Sequence, residues 1–174
     1  IISKTNTRWG DYVISELRSI AFYSKNDGNW SDPATWVTGG YDSTVNAYAK
    51  APDLNTDVAF IGNGKSVTVP EGYNVQIKNI IVETYKGRPG SLVIKGQSGK
   101  VRAESFALGD SCTLETENIY GIDTLGSNSG SVITTASRKF GVSRYIFSGK
   151  QGSQKTGTAL PDSILTLVLN NSST

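Results

Sequence analysis

From residue 57 onward, apolar residues recur in short alternating runs separated by Gly, Asn, Asp or Ser. The runs are Val58–Ile61, Ser66–Val69, Val75–Val82, Ser91–Ile94, Val101–Leu108, 112–116, 131–134, Arg144–Phe147 and 164–169. Period-two alternation bounded by turn residues predicts strands. Asn63-Gly64 predicts a tight turn of the hairpin type between the first two. Upstream the pattern is weaker. Ile14, Leu17, Arg18 and Ala21 have helical spacing, whereas Val13, Ser15 and Leu17 alternate. A strand is the preferred reading, because the chain that follows is strongly β. Asp32-Pro33 reads as an N-cap and first helical residue, and one turn would carry Trp36 back toward Trp30. Residues 37–56, rich in Gly, Asn and Asp, read as a long loop.

The spacing of the strands bears on architecture. Val67, Leu92, Thr113 and Val132 begin comparable strands at intervals of 25, 21 and 19 residues. Periods of this size suggest a solenoid whose coils bury their apolar faces by stacking. Parallel pairing of successive coils would give an all-β, right-handed parallel β-helix with an N-terminal cap. Four to six coils fit the length, roughly, at such a period. The structural alternative is a β-sandwich, which predicts closer strands. Residues 1–24 are expected to be an N-terminal segment, either the end of a preceding domain or part of the cap. Residues 25–174 are the expected β-helix module.

Composition narrows the chemistry. The 174 residues carry a net charge of +2, no His, no Met, one Cys and 19 Gly. Without His there is no His-based metal site, no His general base and no Ser-His-Asp triad. A single Cys excludes an internal disulfide. The small net charge argues against nucleic acid or an anionic membrane bound by charge alone. No apolar run is long enough for a transmembrane helix. The start, Ile1-Ile2-Ser3-Lys4, lacks the apolar stretch of a signal peptide, and the absence of Met gives the expectation of a mature or excised piece.

Two segments carry a resemblance. Residues 23–36, with Gly28-Asn-Trp-Ser-Asp-Pro-Ala-Thr-Trp36, precede residues 57–69, with Asp57-Val-Ala-Phe-Ile-Gly-Asn-Gly-Lys-Ser-Val-Thr-Val69. This pair resembles the opening of β-helix modules in secreted Bacteroidetes (flavobacterial) surface proteins, and more loosely the eight-glycine domain of animal cell-surface proteins. Residues 145–171 look like the repeat of the same large proteins, with Gln154, Thr156, Gly157, Leu160, Pro161, Ile164, Leu167 and Asn170 at the matching positions and Leu169 in place of Val or Ile. The resemblance implies a parallel β-helix on an extracellular or cell-surface protein exported by the type IX secretion machinery. It implies a non-enzymatic structural or adhesive module of a large secreted chain, with other domains of that chain, the export machinery and surface glycans as partners. It implies further coil after Asn170-Asn171, and no cofactor.

Several residues carry candidate chemistry. An alternative function is a small carbohydrate-binding module: Trp30, Trp36 and Tyr41, with Trp9, Tyr48 and Tyr73, form a sugar-stacking platform if exposed and a core or cap if buried. A polysaccharide lyase or glycosidase would need carboxylates on one face. Glu83, Glu104, Glu115 and Glu117, with Lys95, Lys100 and Arg102, are the candidates. Glu104, Glu115 and Glu117 are expected to line one face across two coils. Solvated ion pairs are the alternative use of these residues. Asp27, Asp32, Asp53 and Asp57 are the acidic loop residues that bear on calcium, but no calcium-loop motif occurs. Cys112 reads as buried filler. Ser43, Thr124 and Ser163 each follow Asp and resemble O-glycan acceptor sites of exported Bacteroidetes proteins.

Overall fold

The computed structural model describes residues 19–123, 128–150 and 153–172. Among these the chain is all-β apart from one 3-10 turn, Pro33–Thr35. The strands are β1 (Ala21–Ser24), β2 (Gly28–Asn29), β3 (Trp36–Thr38), β4 (Val58–Ile61), β5 (Ser66–Val69), β6 (Val75–Val82), β7 (Thr84–Tyr85), β8 (Arg88–Pro89), β9 (Ser91–Ile94), β10 (Val101–Leu108), β11 (Thr113–Thr116), β12 (Val132–Phe140), β13 (Arg144–Phe147) and β14 (Thr166–Leu169). One six-stranded sheet has the order β12-β10-β6-β4-β1-β3, and a second has β14-β13-β11-β9-β5-β2. From β4 to β13 the chain alternates between these sheets, apart from the small β7-β8 pair. Pairing is parallel except for β1-β3 and β7-β8.

The registers set the core. In the second sheet Val67, Leu92, Leu114, Tyr145 and Leu167 lie side by side, 25, 22, 31 and 22 residues apart. The first four are buried, as are Val69, Ile94, Thr116 and Phe147 in the neighbouring column. In β6 the buried positions are Val75 and Ile77, then Ile80 and Val82. Alternation skips one residue there, so the strand turns a corner and keeps both halves facing inward. β10 repeats the switch with Val101 and Ala103, then Phe106 and Leu108. At the same corner β12 holds a bulge, two residues standing opposite Glu104.

Two expectations are corrected. Asn63-Gly64 does not close a hairpin, because β4 and β5 belong to different sheets. The left-handed φ values of 56° and 71° that suit a hairpin turn instead send the chain from one sheet to the other. Val132 is not the fourth equivalent strand start, since it pairs with Val101 in the first sheet. Its true counterpart is Tyr145, displaced by the long connection after β11.

At the N-terminal end, Asp32 caps the 3-10 turn by accepting the Ala34 N–H at 2.8 Å. Trp30 and Trp36 meet edge to face, 5.1 Å between ring centres, within the main apolar cluster. Their indole N–H groups donate to Pro52 O at 2.9 Å and Trp30 O at 2.8 Å. The repeat-like segment closes one side of the molecule. Gln154 bridges Thr116 O, Asn118 O and the Gly149 N–H. Gly157, at φ 85°, lies so close to the Ile122 backbone that a Cβ would overlap it. Asn170 donates its backbone N–H to Phe147 O at 2.8 Å.

Candidate functional site

Strand register brings polar side chains together in two places. On the second sheet, Glu115 of β11 and Glu117 just beyond it converge on Lys95, which follows β9. Lys95 Nζ lies 2.9 Å from Glu115 and 3.3 Å from Glu117, and Lys150 reaches Glu117 at 3.4 Å. Ser148 Oγ donates to Glu115 at 2.8 Å, and the Gly96 N–H donates to Glu117 at 2.8 Å. Burial by itself would raise the Glu117 pKa. The Gly96 N–H and the two lysines outweigh it and hold the carboxyl below the usual range. Burial likewise opposes the charge on Lys95, but Glu115 and Glu117 keep its pKa raised. These groups tie successive strands to one another.

The second place is an open groove of about 410 Å³ across the first sheet. Gln76, Arg102 and Ile133 stand in one row of β6, β10 and β12. Glu104 and Thr135 extend the lining at the corner, Ile77 and Ala103 complete the strand surface, and Asn55 forms a wall. The Asn55 turn is anchored from beneath. The buried Asp57 carboxylate accepts the Asp53 and Leu54 N–H groups, each at 3.2 Å, and lies 3.4 Å from Lys50. Among the described residues, Asn55, Gln76, Glu104 and Thr135 make no side-chain hydrogen bond, and Arg102 reaches only Asn128 Oδ1, at 3.5 Å.

The carboxylates expected on one face are therefore divided. Glu115 and Glu117 meet on the second sheet, while Glu104 and Arg102 lie on the first. Lys100 donates to Asn128 O at 3.2 Å. Glu83 lies by Tyr41, whose hydroxyl pKa is pushed far up by burial and by that carboxylate. Lys150 and Ser148 of the ion cluster, and Asn55, Gln76 and Thr135 of the groove, were not singled out in the sequence. The alternation of β6 and β10 marks Gln76 and Arg102 as outward, but only the register makes them neighbours.

The aromatic platform is corrected. Trp30 is 0% exposed, Trp36 1% and Tyr41 7%, so neither described indole face is open to a sugar ring. Tyr41 packs against Tyr23 and Tyr85, and Tyr23 stacks on Phe60 at 4.7 Å. Trp9 lies outside the described residues. The acidic loop residues have structural partners. Asp27 accepts the Ser66 N–H at 2.7 Å, Asp32 caps the 3-10 turn, and Asp53 pairs with Lys50 at 2.9 Å. Among the described residues no three acidic or Cys side chains gather around one point as metal ligands. Cys112 is buried, which pushes its thiol pKa up and keeps it a poor nucleophile. Of the glycan acceptors, Ser163 is exposed, Ser43 is half-buried, and Thr124 lies outside the described residues.

Comparison with protein-family models, with curated proteins and with solved structures returned no match for the chain.

Proposed function

We propose that the chain is a right-handed parallel β-helix acting as a structural or adhesive module of a large secreted bacterial surface protein. The observation that carries this reading is the unbroken parallel register from Val67 to Leu167. Such stacking makes a stiff rod from short coils, each stabilised only by its neighbours. Right-handedness follows from the general preference of parallel crossovers. The Glu115–Lys95–Glu117–Lys150 cluster supports the same reading, because its charged groups fasten neighbouring strands. The sequence resemblance supports a location outside the cell or on its surface, with type IX export and neighbouring domains as the proposed context. Ser43, Thr124 and Ser163 are proposed O-glycan acceptors. Hexose increments in the intact mass of native protein are expected, and a bare-chain mass would exclude them.

A second reading, a polysaccharide-active enzyme, draws on Glu104 and Arg102 in the groove. Among the described residues Glu104 is the single carboxylate lining it, whereas glycoside hydrolysis ordinarily uses a pair. Beads coated with the chain distinguish the readings. Under flow they are expected to be retained on glycan-coated surfaces, while the same glycans yield no new reducing ends and no unsaturated products. Absence of retention would contradict adhesion. Product release abolished by Glu104→Gln would establish the enzyme instead.

A further inference from the structure

We propose that the groove across β6, β10 and β12 binds a neutral, hydroxyl-rich ligand, one or two hexose rings of a glycan. The inference gives the adhesive reading a site, and it rests on that reading for the source of the ligand. Its volume of about 410 Å³ falls within the range of small-ligand sites.

The groove gathers unengaged polar side chains in one concave place, whereas Lys95, Glu115, Glu117 and Lys150 on the second sheet are bonded to one another. Asn55, Gln76, Glu104 and Thr135 have no side-chain hydrogen bond among the described residues, and Arg102 has only the long contact to Asn128. The unengaged groups are also mixed in kind. The two amides and the threonine hydroxyl both donate and accept, Arg102 donates, and Glu104 accepts. Sugar hydroxyls likewise donate and accept, so every group on this surface has a use against them.

Charge narrows the class. Arg102 and Glu104 are two residues apart on β10 and oppose one another in sign. A phosphate or uronate drawn to Arg102 would have to lie beside Glu104, and an ammonium drawn to Glu104 beside Arg102. A neutral polyol meets neither penalty. Ile133 ends the row of Gln76 and Arg102 but is only 6% exposed, so the polar groups carry the recognition. The geometry is fixed in advance. Three strands hold the floor, and the Asp57 carboxylate holds the turn carrying Asn55. Preorganisation of this kind reduces the ordering that binding would otherwise require.

The test is a titration of the nitrogen-labelled chain with cellobiose, maltose, lactose and glucuronate, followed by amide chemical shifts. At least one neutral disaccharide is expected to give saturable shifts at Gln76, Arg102, Ile133 and Thr135, with Kd on the order of 1 mM. Arg102→Ala and Glu104→Ala are each expected to weaken binding about tenfold, the effect of one lost charged hydrogen bond. Asn55→Ala, in a turn outside the sheet ladders, is expected to weaken it without altering the remaining spectrum. Absence of saturable shifts with every neutral sugar would overturn the proposal. So would shifts indifferent to all three substitutions, or tighter binding of glucuronate. If beads are still retained while the groove is silent, the site inference fails and the adhesive reading stands.

Discussion

At the residue scale, Glu117 shows how a polar side chain serves the fold. Its side chain is 5% exposed, yet it is held ionised by the Gly96 N–H, Lys95 and Lys150. A carboxyl whose pKa is lowered on folding adds stability above its unfolded pKa, about 4.3 for Glu. That contribution is lost as pH falls through the lower folded value. Lys95, with its pKa raised, adds stability below about 10.4, its unfolded pKa, and loses it as pH rises through the higher folded value. We expect Glu117→Gln to lower stability by about 1–3 kcal/mol at neutral pH, because Lys95 and Gly96 lose a charged partner. The melting temperature of the variant should fall less steeply than that of the wild type as pH drops below about 4.3. Parallel acid limbs would remove Glu117 from the ledger of acid sensitivity. The sequence indicated that Glu115 and Glu117 could share a face. It did not indicate Lys150 or Ser148, which arrive from the next strand over through a register set by loop length.

At the element scale, the strands themselves were legible, because alternation survives wherever one face is buried. Their partners were less so. The connection after β11 lengthens the step from Leu114 to Tyr145 to 31 residues, and an even period therefore mistook Val132 for the next equivalent position. The corners of β6 and β10 were hidden for a related reason, since a skipped alternation looks in sequence like a weakened strand. The two ends of the second sheet also differ. β2 is two residues long and runs into the capped 3-10 turn. β14 follows the inward columns, yet Leu167 is 41% and Leu169 65% exposed, with Leu165 at 58% beside them. Residues 164–169 contain no charge, Gly or Pro. Among the described residues no strand pairs with the outer side of β14, and an apolar parallel edge of this kind is a template for another strand. In a longer chain a further coil would cover this edge; for the 174-residue chain by itself, pairing of two copies through β14 is the arrangement expected. Sedimentation velocity should show concentration-dependent association that Leu169→Lys reduces, with stability changed by about 0.5 kcal/mol or less. A wild type that stays monomeric across the same concentrations would contradict this.

At the scale of the whole molecule, stacking determines which side chains can act together. The groove was not legible in the sequence, because its lining comes from three strands and a turn, and no local pattern joins Asn55 to Thr135. The Trp pair was conspicuous in sequence for a different reason. Trp30 and Trp36 fill the end of the core, a role that demands large side chains with satisfied indole N–H groups. Function, groove and edge all depend on one claim, that successive segments lie parallel and in register. The most direct measurement is a set of interstrand nuclear Overhauser contacts in solution. The account predicts parallel-pattern backbone contacts linking Val67 to Leu92, Leu92 to Leu114, Leu114 to Tyr145 and Tyr145 to Leu167. Antiparallel contacts between β4 and β5, as in a hairpin, would contradict it.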